Sequence, residues 1–424
     1  AAAMAGLRGT NSYGWAAELL PVGLLILAVR RRSGWEAWKD LTRFGLVWLA
    51  NAACLGAVVL PMAFAAKGLT TTSLGSCDAA DYAGGARVLM EFARGDRGGF
   101  VGLTEVVQVQ SVDNFFDYWL RLNHFTPAAL IALNGTVLGC APHELTGIMT
   151  MVLLAGSVPV VFWMARAVVG YSGAVSVGIA GLYGLSPITW YAVAHVAPAQ
   201  LLAAQAVALL TWAGVALWRG RLTARRGWAF AGVLAGGYWL VLGSYNFFVL
   251  LCLLPAGTFA GGLAAWHGEW RRLARWAVAM LAPLLACGLM FFERVAGLAG
   301  RFELLQTYDF GWRIPALTPE GWLGLVSGPN LEAWEWGGVR WVLAAAVVGL
   351  LAWAIVRAVR ERRRKLWIVA CLTLPVLAGY AFLQWRGERL GTNASYDAYK
   401  LFAVFYPGLL PALCWWVTLR LSRR

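Results

Sequence analysis

Two aspartates three residues apart, Asp78 and Asp81, open a long polar stretch and are the first residues whose type and spacing suit chemistry. On a helix, residues three apart share a face. The same stretch carries Asp113 and Asp117, four apart, and closes on Asn123-His124-Phe125-Thr126-Pro127. A carboxylate at a membrane surface can take a proton from a hydroxyl attacking a sugar-phosphate carbon. It can equally hold a divalent cation against a phosphate, which is the one cofactor the acids suggest. Acids at this spacing also serve as solvated caps of helix starts, and the spacing alone leaves that alternative open.

A second group lies near the end of the chain, where Arg386, Arg389 and Lys400 fall within fifteen residues beside Tyr396, Asp397 and Tyr399. Arginine binds phosphate through two parallel N–H donors. The competing role is ion pairing with Glu388 and Asp397. His195 and Gln200 follow Ser186-Pro187 in a polar turn that suits sugar binding and equally suits any hairpin end. Five of the seven cysteines sit inside apolar runs, and no CxxC pair exists, so neither a zinc nor a thioredoxin-like site is expected. Cys77 and Cys140 lie in one polar stretch and would form a disulfide only if the stretch folded back on itself.

The elements that must position these residues are membrane helices. The chain is 60% hydrophobic and only 13% charged, with a mean hydropathy of +0.63, whereas soluble domains are about a quarter charged. A span needs roughly 20 apolar residues. Eleven segments meet this, near 13–29, 44–66, 145–165, 172–187, 199–218, 228–244, 247–266, 276–292, 341–357, 366–384 and 401–419. The polar segments between them alternate in charge. Segments 30–43, 166–171, 219–227, 267–276, 357–365 and 420–424 hold 22 of the 35 Lys and Arg but only 4 of the 21 acids. Loops rich in Lys and Arg stay in the cytoplasm, so the N-terminus is expected outside and the C-terminus inside. The net charge of +14 is dispersed over these loops and implies no nucleic acid partner. Trp residues at segment edges, such as Trp218, Trp266 and Trp367, read as an interfacial belt. The Ala-, Gly- and Arg-heavy usage suggests a GC-rich bacterial gene, so the membrane expected is the bacterial cytoplasmic membrane. The first apolar run ends in Arg30-Arg31-Arg32, not in small residues, so no cleavable signal peptide is expected there.

The apolar stretch 125–141 is short and broken by Pro127 and Asn134-Gly135. If it spanned, every later loop would invert and the charge alternation would be lost. It is read instead as an amphipathic helix lying on or dipping into the outer membrane face. Three outer loops then remain, 67–144, 293–340 and 385–400, in a single all-α polytopic transmembrane domain. All the chemistry-bearing residues named above fall in these loops or in the outer turn at His195.

The order of features resembles the GT-C class of membrane glycosyltransferases. A spanning helix is followed by an outer loop opening on Asp81-Tyr82 and Ala86-Arg87-Val88-Leu89. Then come a stretch from His124-x-x-Pro127 to Leu138-Gly139, a helix ending Met164-Ala165-Arg166-x-x-x-Gly170, and Leu185-Ser186-Pro187 with Tyr191. The likeness covers roughly residues 44–218. It implies a GT-C-like fold and transfer of a sugar from a polyprenyl-phosphate donor to an extracytoplasmic acceptor. It also implies a catalytic acid at Asp78 or Asp81 and a lipid-phosphate site built from outer basic residues. The spacing Asp-x-x-Asp departs from that class's Asp-Glu or Asp-x-Asp pair. Two other classes fit the same chain: a non-catalytic scaffold subunit with protein partners in a membrane complex, and a lipid or solute transporter. No internal repeat is visible, which counts against the transporter.

Overall fold

The computed structural model describes residues 45, 49, 53, 78–93, 124–220, 227–307, 314–326, 331, 337–361, 364–391 and 394–417. Within them every regular element is helical. In chain order these are α1 (Asp78–Glu91), α2 (Phe125–Leu138), α3 (Pro142–Trp163), α4 (Gly173–Leu185), α5 (Pro187–Ala194), α6 (Pro198–Trp218) and α7 (Gly227–Gly243). There follow α8 (Leu254–His267), α9 (Trp270–Met290), α10 (Phe292–Ala296), α11 (Leu298–Thr307), α12 (Gly338–Glu361), α13 (Arg364–Leu390) and α14 (Ala394–Val417).

Seven of the described helical stretches are long and apolar enough to cross a membrane, and eight if α4 and α5, bent by 43°, form one broken span. The chain is therefore a multi-pass helical membrane protein. The first two of the eleven expected spans, 13–29 and 44–66, lie outside the described residues apart from positions 45, 49 and 53. The other nine each coincide with a helix, but not each with a full crossing. With 17 residues, α7 is about 25 Å long, short of a bilayer core of about 30 Å. The segment 172–187 stops at Leu185, because Pro187 cannot continue the helix of Ser186 and starts α5 instead.

Local chemistry sets the ends of these helices. Pro142, Pro187, Pro198 and Pro255 sit in first turns, where the missing N–H costs nothing. The Glu144 carboxylate accepts from the Ala141 N–H at 2.9 Å, and the Ser186 hydroxyl accepts from the Ile188 N–H at 3.3 Å. A π-helical turn, Met164–Val169, extends α3 and closes at Gly170 with φ 93°.

Helix α2 does not span; at 14 residues it is about 21 Å long. It is also not the amphipathic helix expected. It carries no charged residue and is buried or half-buried everywhere except Leu138, because it packs against α1, α3, α6 and α7 rather than lying on a surface. The core of the bundle is α14, which packs most extensively on α13 and then on α6 and is buried almost throughout its span. Helices α9 and α12 are peripheral. Leu285, Leu289, Trp341 and Val342 on them are largely exposed, as lipid-facing residues would be.

Helix association in lipid has no hydrophobic gain and depends on close contact of small residues. Gly214 meets Ala256 and Trp276, Gly237 meets Leu210, and Gly262 meets Trp367, each too closely to admit a Cβ without a shift. The segment 314–326 is tied down over the ends of α13 and α14. The Leu317 N–H donates to the Tyr380 hydroxyl at 2.6 Å and the Ile314 N–H to the Ser395 hydroxyl at 3.4 Å. Gly324, at φ +85°, brings this segment against Ser186 and Tyr406.

Candidate functional site

Asp78 and Asp81 occupy the first turn of α1, one turn apart. The helix dipole favours a carboxylate there. Burial opposes it, and burial is the larger effect for Asp81: together with the neighbouring Asp78 charge it raises the carboxyl from 3.8 to about 7. Asp78 is half-buried, and its charge acts on Tyr82, Tyr191, Tyr245, Tyr396 and Lys400. Those groups come from α1, α5, the segment after α7, and α14. One carboxylate thus faces the meeting point of four parts of the chain.

Aromatic rings build the wall. His124, just before α2, stacks on Tyr82 with centroids 6.3 Å apart and lies 4.7 Å from Tyr245. Its Nδ1–H donates to the Ser244 carbonyl at 2.9 Å, since a carbonyl can only accept. Burial first, and then the positive charges of Arg301 and Lys400, push the imidazole well below its ordinary range. The ring is therefore neutral, with Nε2 as an acceptor. Burial and the Asp78 charge keep the Tyr82 and Tyr245 hydroxyls protonated, well above the usual phenol range.

Lys400, buried on the second turn of α14, lies 4.0 Å from the Tyr396 ring centroid and 5.3 Å from that of Tyr245. Such cation–π contacts hold an ammonium in a dry site. Lys400 is also within electrostatic reach of Arg301, Asp78 and Asp397. Asp397 in turn feels Lys400, Arg386 and Arg301. Next to this group, Tyr191 stacks on His195 at 4.1 Å and lies 4.6 Å from Tyr399. The Tyr399 hydroxyl donates to the Ile188 carbonyl at 2.8 Å and accepts from Gln200 Nε2 at 3.0 Å. Burial pushes the His195 imidazole down as well.

Two arginines complete the site. Arg294 on α10 is wholly buried, donating to the Leu242 carbonyl and to the Ser244 carbonyl at 3.4 Å. Asn246 Nδ2 donates to the Arg294 carbonyl at 3.3 Å, so α10 is locked to the end of α7. Burial and the nearby Arg301 push the Arg294 guanidinium down to about 9. Arg301 on α11 is 6% exposed, and its Nε has no hydrogen-bond partner among the described residues. An unsatisfied buried donor costs about 1–3 kcal/mol. An anionic oxygen would satisfy it.

The structure thus brings Asp78, Asp81, His124, His195, Gln200, Tyr396, Asp397 and Lys400 into one connected group, with Arg386 at its edge. Arg389 does not join it: the side chain is exposed and stacks 5.0 Å over Trp385 of its own helix. Helix α13 continues through Leu390, so both arginines lie on its last turns rather than on a loop. Asp113 and Asp117 lie outside the described residues, as does Cys77 and with it the Cys77–Cys140 pairing. Among the described residues no three His, Cys, Asp or Glu side chains gather as metal ligands, so a divalent cation would rest on fewer protein ligands there.

Arg294, Arg301 and Tyr245 were not singled out by the sequence reading. Arg294 and Arg301 are seven residues apart in the stretch 293–340, expected outside from its charge, where cations run against the acidic trend. Applying the rule that drew attention to Lys400 would have found both. Tyr245 sits in Ser244-Tyr245-Asn246 between two apolar runs, a polar break of the kind that marked His195. No family model matches the chain, and comparison with curated proteins finds no match either.

Proposed function

We propose that the chain transfers a sugar from a polyprenyl-phosphate donor to a hydroxyl acceptor on the outer side of a bacterial cytoplasmic membrane. The observation that carries this reading is the convergence of the Asp78 carboxylate with the buried cations Lys400 and Arg301 in one tyrosine-lined site. A transferase of this type needs a base for the acceptor and fixed positive charge for the departing phosphate. It also needs flat rings against which a sugar can lie.

The step follows from that division. The acceptor oxygen forms a bond to the sugar C1 while the bond from C1 to the phosphate oxygen breaks. The acceptor proton passes to Asp78, the carboxylate that faces the rings. Asp81, raised to about 7 by burial and by Asp78, holds a proton near neutral pH and leaves Asp78 as the charged member of the pair. Lys400 and Arg301 receive the charge that grows on the leaving polyprenyl phosphate, and the Arg301 Nε gains the acceptor it lacks. Preorganised charge in a dry site is the largest single catalytic contribution in most enzymes. His124 and Gln200 offer polar atoms for the sugar hydroxyls, at the edge of the Tyr82, Tyr191 and Tyr245 rings.

The test is transfer activity in proteoliposomes supplied with a polyprenyl-phosphate sugar and a soluble acceptor. Asp78→Asn and Lys400→Gln should each lower turnover by about 100-fold or more, the scale of removing one acid–base or charge-stabilising group. Arg389→Gln, on the outer face, should leave it unchanged. Full activity in both Asp78→Asn and Asp81→Asn would rule out the base.

A scaffold role has one observation in its favour. Among the described side chains of α12 only Val347 is buried, and the helices α12 packs on are α13 and α14, with Arg340 also paired to Glu320 at 3.1 Å. A partner helix could lie along it. Copurification of a stoichiometric membrane partner with an inactive chain would favour that reading.

A further inference from the structure

At the opposite end of the bundle lies a second place where charge and shape coincide. Gln200 is on the first turn of α6 and Trp218 is its last residue; 18 residues apart, they are separated by about 27 Å along the helix. Around Trp218, the ends of α6 and α8 and the start of α9 enclose a cavity of about 340 Å³. Its lining includes Trp218, Arg219, Phe259, His267, Glu269 and Arg272.

The two guanidinium groups are fixed in place. Arg219 donates to the Ala167 carbonyl at 3.3 Å and the Val168 carbonyl at 3.4 Å, and lies 5.8 Å from the Phe259 ring centroid. Arg272 donates to the Trp218 carbonyl, pairs with Glu269 at 2.8 Å and lies 4.7 Å from the Trp218 ring centroid. Two cations thus share a lining that contains one acid.

The charge of α9 points the same way. Its first two turns hold Arg271, Arg272 and Arg275 and no acid. A helix N-terminus is the positive end of the dipole and disfavours cations. An external anion at this level offsets both the dipole and the mutual repulsion. Trp266 and Trp270, each more than half exposed, flank the site as headgroup-level anchors do.

We propose that this cavity binds the phosphate headgroup of an anionic membrane lipid. The shared chemistry is a phosphate oxygen set between Arg219 and Arg272, with the acyl chains leaving along the exposed apolar face of α9. Basic pockets between membrane helices take such headgroups. The site is independent of the transfer reaction at the other end of the bundle.

The test uses the full chain in a neutral detergent, with bound lipid counted by native mass spectrometry. It is titrated with phosphatidylglycerol or phosphatidylcholine of equal chain length, and separately with inorganic phosphate. The wild type should retain phosphatidylglycerol in preference to phosphatidylcholine. Arg272→Gln should reduce that preference about five-fold, the worth of one basic residue beside an anionic headgroup. Leu263→Trp keeps every charge but fills the cavity, and should reduce it as well. Arg275→Gln, outside the lining, should have less effect than Arg272→Gln. Equal retention of the two lipids would overturn the proposal, as would no change in Arg272→Gln or a change as large in Arg275→Gln. Displacement of the lipid by inorganic phosphate at equal concentration would assign the cavity to free phosphate instead.

Discussion

Removing the Asp81 carboxyl is the sharpest perturbation of the candidate site, because its titration has a sign, a size and a named neighbour. The carboxyl is raised from 3.8 to about 7, by burial first and by Asp78 second. The folded chain therefore holds this proton up to about pH 7, while the unfolded chain releases it near pH 4. Between those values the native state binds more protons, so its stability falls as pH rises. The stabilisation is complete below about pH 4 and is lost as pH passes through about 7. Each pH unit between the two values is about 1.4 kcal/mol, giving a ceiling of about 4 kcal/mol. Partial exposure of the carboxyl lowers the real figure through solvent screening. Infrared difference spectroscopy reads the protonated carboxyl stretch directly, without any need for activity. The wild type in nanodiscs should show a carboxyl titrating near pH 7 that is absent in Asp81→Asn. In Asp78→Asn the midpoint should fall but stay above 3.8, since burial is the larger cause. If the wild type shows no carboxyl titrating above pH 6, or Asp81→Asn leaves that band in place, burial of this carboxyl is wrong.

Three further outcomes follow from particular contacts. In Gly243→Ala the new Cβ would collide with the Thr126 hydroxyl, lowering stability by about 1–3 kcal/mol, and Thr126→Ala should recover part of the loss in a thermal unfolding series. Arg294→Met leaves the Leu242 and Ser244 carbonyls without their guanidinium donor, at about 1–3 kcal/mol for each carbonyl that stays dry; hydrogen exchange should rise around 242–246 if the clamp is real and stay flat if it is not. Single cysteines at 140 and 223 should label from opposite sides of the membrane, with 223 inside, and labelling of both from one side would undo the assigned topology.

The helices were the most legible part of the chain, and the reason is composition. Apolar runs of spanning length exclude other structures in lipid, because every backbone group must be satisfied within its own segment. The errors fall where length and composition stop deciding. Helix α2 was expected to be amphipathic because it was taken to lie on a surface, yet its apolar residues meet α1, α3 and α7 on several sides. A non-spanning helix can be buried by neighbours that the local sequence does not reveal. The break between α4 and α5 was readable at Pro187, but its consequence was not. By turning α5, the break brings Tyr191 to Asp78 and Tyr399, 113 and 208 residues away from it.

The site divides in the same way. Asp78 and Lys400 are 322 residues apart and were linked in the sequence only by the expectation that both lie on the same side of the membrane. That inference depended on charge counting. A cation is expected on the basic side, so one on the acidic side needs a local reason, and Lys400 finds it in the Asp78 and Asp397 charges and two tyrosine rings. Arg389 meets the same criterion and stays outside the site, which shows the limit of the method. Sidedness selects the residues that can meet, but helix phase decides which of them do. Lys400 and Tyr396 are four apart on α14 and so share a face. Arg386 and Arg389 fall on the last turns of α13, where Arg386 acts on Asp397 while Arg389, exposed, lies over Trp385. Arg294 and Arg301 passed unnoticed because the segment 293–340 was read as a loop, where phase has no meaning. Once α10 and α11 are recognised as helices, two buried cations in that segment become as anomalous as Lys400.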